Sequence, residues 1–75
     1  MTYFLIHYDR PAGRLLSIRE YSEAEATQAD ADLREQESAK PAHVEVVMLH
    51  ARSIDDLKRT HGRYFKTARE IAGID

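Results

Sequence analysis

Residues 43–72 constrain this chain more than any other part, because the hydrophobic period changes within them. Val44-Glu45-Val46-Val47-Met48-Leu49 is a short run rich in β-branched residues, the pattern of a strand that is at least half-buried. Beyond His50-Ala51-Arg52, Ser53 stands where a helix N-cap belongs. Asp55 and Asp56 follow in the first turn, where the positive end of the helix dipole favours carboxylates. From there Ile54, Leu57, His61, Tyr64, Phe65, Ala68, Ile71 and Ala72 recur at helical spacing, which predicts one continuous helix with a single apolar stripe. Gly62 lies opposite that stripe and weakens the helix by up to about 1 kcal/mol. A strand joined to such a helix must pack on a second layer, so the preceding residues have to supply more sheet.

They do. Residues 3–8 (Tyr-Phe-Leu-Ile-His-Tyr) are aromatic and branched and read as a strand. Arg10-Pro11-Ala12-Gly13-Arg14 is a turn, since proline fixes φ and glycine tolerates φ > 0. Residues 15–21 then form the returning strand of a hairpin. Ser22-Glu23-Ala24-Glu25 has the spacing of a capping box and opens a helix that runs to residue 39, where Lys40-Pro41 stops it. Leu33 is the only large apolar side chain of that helix; Ala24, Ala26, Ala29 and Ala31 make a shallow face that permits close approach to a sheet. The order is ββαβα, an α+β fold in one domain over residues 1–75. Its sheet is predicted to have three strands, mainly antiparallel, in the order 2-1-3, packed against two helices on one face.

Alternation along the strands assigns Phe4, Ile6, Tyr8, Leu16, Ile18, Val44, Val46 and Met48 to a core face. The reverse face then carries Tyr3, Leu5, Leu15, Tyr21, Val47 and Leu49 among His7, Ser17, Arg19 and Glu45. That is too apolar for a face left in water. Either one helix covers each face, or a second molecule covers the reverse one. The chain has 22 large apolar side chains (Leu, Ile, Val, Met, Phe, Tyr), enough for one thin core. The expectation is therefore a homodimer or a complex with another protein, with Tyr3, Leu5, His7, Tyr21, Val47 and Leu49 at the interface. The third strand is also predicted to be a sheet edge, which pairing across a two-fold axis would cover.

Charge is uneven along the chain. Between residues 22 and 45 seven acids stand against two bases, and between 58 and 69 five bases stand against no acid. Lys58, Arg59, Arg63 and Lys66 are the candidates for anion contact, and a regulator that binds nucleic acid through this helix face is the alternative reading. Against it stands a net charge of −2. The absence of cysteine excludes disulfides, thiolate zinc sites and a cysteine nucleophile, and suits a reducing compartment. His7, His43, His50 and His61 have no metal-ligand spacing, and no phosphate loop or nucleophile elbow occurs. No catalytic residue, metal or cofactor is expected. The N-terminal residues lack the pattern of a secretory leader, and no apolar run is long enough to span a bilayer, so a cytoplasmic location without membrane contact is expected.

The strings Tyr3-Phe4-Leu5-Ile6-His7-Tyr8-Asp9-Arg10, Val44-Glu45-Val46-Val47-Met48-Leu49 and Ser53-Ile54-Asp55-Asp56-Leu57-Lys58-Arg59-Thr60-His61-Gly62-Arg63-Tyr64-Phe65 resemble those of small uncharacterised bacterial proteins of ββαβα pattern. The resemblance implies the same order of elements and brings no activity or site residue with it.

Overall fold

The computed structural model describes residues 1–65. The elements are β1 (Thr2–Asp9), β2 (Arg14–Tyr21), a 3₁₀ turn (Glu23–Glu25), α1 (Ala26–Ala39), β3 (Val44–Ala51), α2 (Ile54–Thr60) and a second 3₁₀ turn (Gly62–Phe65). The three strands form one sheet in the order β2-β1-β3, and β1 is antiparallel to both neighbours. The α+β class and the strand order are those expected from the sequence.

Local chemistry explains the element boundaries. Gly13 takes φ 63°, the left-handed conformation that an L side chain resists, and its N–H donates to the Arg10 carbonyl at 3.3 Å. The Asp9 carboxylate accepts from the Ala12 N–H at 3.1 Å and steadies the same turn. At the first helix, the Ser22 N–H donates to Glu25 Oε1 at 2.9 Å. Ser53 Oγ accepts from the Asp56 N–H at 3.1 Å and caps α2.

The helices lie on opposite faces of the sheet, which corrects the expectation of a single helical layer. Register decides this. Phe4 pairs with Leu49 and Ile6 with Val47, whereas Leu5 pairs with Met48 and His7 with Val46. Val47 and Leu49 therefore share a face with Phe4 and Ile6, while Val46 and Met48 belong to the face of Leu5. In β2, a bulge between the His7–Ser17 and Tyr8–Leu15 pairs leaves Leu16 without a partner. Leu16 is 46% exposed instead of buried, and Leu15 moves to the face of Phe4 and Ile6.

The first face is the larger core. Phe4, Ile6, Tyr8, Ala51, Leu57 and Tyr64 form its buried cluster, with Ile18, Val47, Leu49, Ile54 and Phe65 packed around it. Each large aliphatic or aromatic side chain enclosed there contributes roughly 1.5–3 kcal/mol. The second face carries Leu5, Tyr21 and Ala29, bordered by Tyr3, Leu33, Val46 and Met48. Ala29 is the one buried residue of α1, so the shallow alanine face allows close seating and adds little burial of its own.

The C-terminal helix is interrupted, where one continuous helix was expected. Its α-helical part stops at Thr60, His61 caps it with φ −127° and ψ 44°, and the 3₁₀ turn follows. The His61 N–H still reaches the Leu57 carbonyl at 2.8 Å, and the Tyr64 N–H bonds to His61 O at 3.2 Å. The break falls beside Gly62, the weakest helix former of the stretch, and allows Tyr64 to turn under the sheet. Lys66, Ala68, Ile71 and Ala72 lie outside the described residues.

Candidate functional site

Both faces are secured by the same trio of residue types. On the α2 face, Tyr64 Oη donates to Glu45 Oε2 at 2.6 Å, and Arg63 Nη2 donates to both Glu45 oxygens at 3.2 and 3.1 Å. The Arg63 guanidinium lies 4.3 Å from the centre of the Tyr64 ring, and Tyr64 meets Tyr8 edge to face at 5.2 Å. On the α1 face, Tyr21 Oη donates to Asp32 Oδ2 at 2.5 Å, and Gln28 donates to Oδ1 at 2.7 Å. Arg19 Nη1 stands 3.4 Å from Oδ2, with its guanidinium 4.9 Å from the Tyr21 ring centre.

These bonds set the protonation states. The Tyr64 hydroxyl, helped by Arg63, holds the Glu45 carboxyl below its ordinary range. Bonds from Tyr21 and Gln28 do the same for Asp32, against a smaller opposing effect of burial. Burial and then the bonded carboxylate push both tyrosines above the usual phenol value. Both carboxylates are ionised and both phenols protonated at neutral pH.

The α1 face also holds a groove of about 510 Å³ lined by Leu5, His7, Ser17, Arg19, Tyr21, Asp32, Glu35 and Gln36. α1 seats against β1 and β3, so the β2 side of this face stays open. Ser17, Arg19 and Tyr21 alternate along β2 and point into the opening. Asp32, Glu35 and Gln36 approach from α1 at i, i+3 and i+4. At the floor, His7 Nε2 is 3.1 Å from Gln36 Oε1 and His7 Nδ1 is 3.1 Å from Ser17 Oγ. With Gln36 Oε1 as acceptor, Nε2 carries the proton and Nδ1 accepts from the serine.

The interface residues expected from the sequence are divided between the two faces. Tyr3, Leu5, His7 and Tyr21 are on the α1 face. Leu5 and Tyr21 are buried there by the chain itself, Tyr3 stacks on His50 at 4.3 Å between ring centres, and His7 is held by Gln36 and Ser17. Val47 and Leu49 are half-buried on the α2 face. They do not form one patch.

Among the basic residues, Arg59 pairs with Asp56 at 2.7 Å and Arg63 is taken by Glu45. Lys58 Nζ lies 5.7 Å from the centre of the Phe65 ring, and Lys66 lies outside the described residues. The groove escaped sequence reading because His7 and Ser17 face each other only through register. The i, i+3, i+4 row of Asp32, Glu35 and Gln36 was the one signal available.

The two edge strands differ in character. β2 carries the bulge, with Arg14, Ser17, Arg19 and Glu20 exposed. β3 has no bulge in its pairing with β1, no proline and no lysine. Its middle residues Val46, Val47, Met48 and Leu49 are half-buried, and its single acid, Glu45, is occupied by Arg63 and Tyr64.

Among the described residues no three histidine or carboxylate side chains converge as metal ligands, and no helix is long and apolar enough to cross a membrane. Comparison with family models, with curated proteins and with solved structures finds no match to this chain.

Proposed function

We propose that this is a small, non-enzymatic cytosolic protein that acts by association, first with a second copy of itself, through antiparallel pairing of β3 with β3. One observation carries the reading: among the described residues, β3 is an edge strand with none of the bulges, prolines or lysines that normally keep edges apart. Four successive apolar residues, Val46 to Leu49, run along it with no charge among them. β2, the other edge, has both a bulge and exposed charges. Pairing about a two-fold axis would join two three-stranded sheets into one of six and satisfy the outward backbone groups of both copies. The edge is preferred to the faces because a helix of the same chain packs on each face.

The absence of cysteine fits a reducing compartment. Against the nucleic-acid alternative, among the described residues Arg59 and Arg63 already face carboxylates at hydrogen-bond distance.

The test is the mass in solution of the wild type and of Met48→Lys. Methionine and lysine have similar length, and the lysine stem can follow the same surface while its ammonium opposes pairing. The wild type is expected at twice 8.6 kDa and the variant at 8.6 kDa, with unchanged circular dichroism. A wild type at 8.6 kDa throughout the micromolar range contradicts the reading.

A further inference from the structure

The groove between α1 and β2 has a set of unsatisfied hydrogen-bonding groups that defines a ligand chemistry. Asp32 is saturated by Tyr21, Gln28 and Arg19 and is a fixed part of the wall. His7 is used on both ring nitrogens. What remains is divided by sign. Arg19, whose side chain is 69% exposed, spends one N–H direction on Asp32 and keeps the rest of its planar fork of donors. Gln36 accepts from His7 through Oε1, so its NH₂ is available as a donor. Ser17, with its hydroxyl donating a hydrogen bond to His7 Nδ1, offers lone pairs. Glu35 is exposed; Ser38 Oγ bonds to its backbone carbonyl, and among the described residues no side chain bonds to its carboxylate.

The cavity thus presents free donors suited to a carboxylate (Arg19, Gln36) and free acceptors suited to an ammonium (Glu35, Ser17). We infer that this groove binds a small zwitterion of the α-amino-acid class, its carboxylate on Arg19 and Gln36 and its ammonium on Glu35 and Ser17. Charge-assisted hydrogen bonds at both ends discriminate against molecules with only one charge, because a lone end leaves the opposite groups solvated and unused. The volume of about 510 Å³ admits a full amino acid with its side chain. The groove opens beside β2, away from β3, so it stays accessible whether or not β3 is paired, and the inference is independent of that reading.

The test is a titration of the intact, ¹⁵N-labelled chain with L-alanine, acetate and methylammonium, followed by amide chemical shifts. L-Alanine is expected to give saturable shifts at His7, Ser17, Arg19, Glu35 and Gln36 with a dissociation constant of about 1–10 mM. Acetate and methylammonium are each expected to bind at least about tenfold more weakly. Arg19→Gln and Glu35→Gln are each expected to weaken L-alanine binding by about tenfold; Arg19→Gln also shifts the signals of Asp32 and Tyr21, which it contacts, whereas Glu35→Gln leaves the rest of the spectrum in place. Shifts that never saturate overturn the inference. So does acetate or methylammonium binding as tightly as L-alanine, or L-alanine affinity that neither variant changes.

Discussion

The two faces of the sheet use the same lock in opposite senses. On the α2 face the strand supplies the carboxylate, Glu45, and the C-terminal segment supplies the tyrosine and the arginine. On the α1 face the strand supplies the tyrosine and the arginine, and the helix supplies Asp32. What surrounds the lock differs. The α2 face is filled by Phe4, Ile6, Tyr8, Leu57 and Tyr64, whereas the α1 face buries Leu5, Tyr21 and Ala29 and remains open beside β2. Stability is therefore concentrated on one side and solvent-accessible chemistry on the other. With a helix on each face, the described residues leave the sheet two edges, β2 and β3, and β3 is the more apolar of the two.

That comparison can be broken most forcefully at Leu57, which is fully buried on the α2 face. Leu57→Ala is expected to cost about 2–5 kcal/mol, measured by urea denaturation. Leu33→Ala, its counterpart on the partly filled α1 face, is expected to cost less. Equal losses would mean that the α1 face is as tightly packed as the other.

The locks come next. Tyr64→Phe and Tyr21→Phe each remove one bond to a carboxylate and are expected to destabilise by about 1–3 kcal/mol. Tyr21→Phe should in addition perturb the amide signals of Asp32 and Gln28, which share the same hydrogen bonds.

The smallest effect is on pH dependence, and its sign follows from linkage. Asp32 and Glu45 titrate lower in the folded protein than in the unfolded chain, so the unfolded state binds more protons in acid. Their stabilisation is complete above the ordinary carboxylate pKa of about 4 and is lost as pH falls through the depressed folded values. Tyr21 and Tyr64 titrate higher when folded, so theirs is present below about pH 10 and is lost as pH rises through the raised values. Midpoints of denaturation across pH, in wild type and in the double variant Tyr21→Phe with Tyr64→Phe, check both signs. The double variant should lose most of the alkaline dependence and part of the acid dependence.

How much of this was legible before the structure depended on the range over which each signal acts. Gly13 in its turn, Ser53 as a cap and the proline stop after α1 are local, and each stands where its own chemistry places it. The strand order followed from short connections and the crossover. Which side chains share a face did not follow, because alternation sorts residues within one strand and says nothing about how two strands align. A bulge that drops Leu16 from the ladder and a register that sets Phe4 against Leu49 moved Leu15, Glu45, Val47 and Leu49 onto the face of Phe4 and Ile6, and moved Val44, Val46 and Met48 off it. The helical stripe through Tyr64 and Phe65 was real as a hydrophobic pattern, yet the chain breaks at His61. A long-range bond from Tyr64 to Glu45, 19 positions away, competes there with a helix that Gly62 weakens.

Sedimentation equilibrium of the unmodified chain, across the micromolar range, tests the association through β3 most directly. A dimer of twice 8.6 kDa that Met48→Lys reduces to 8.6 kDa, with the fold intact, is the predicted result. A wild-type chain that sediments at 8.6 kDa over the whole range, or a dimer that Met48→Lys leaves unchanged, contradicts it.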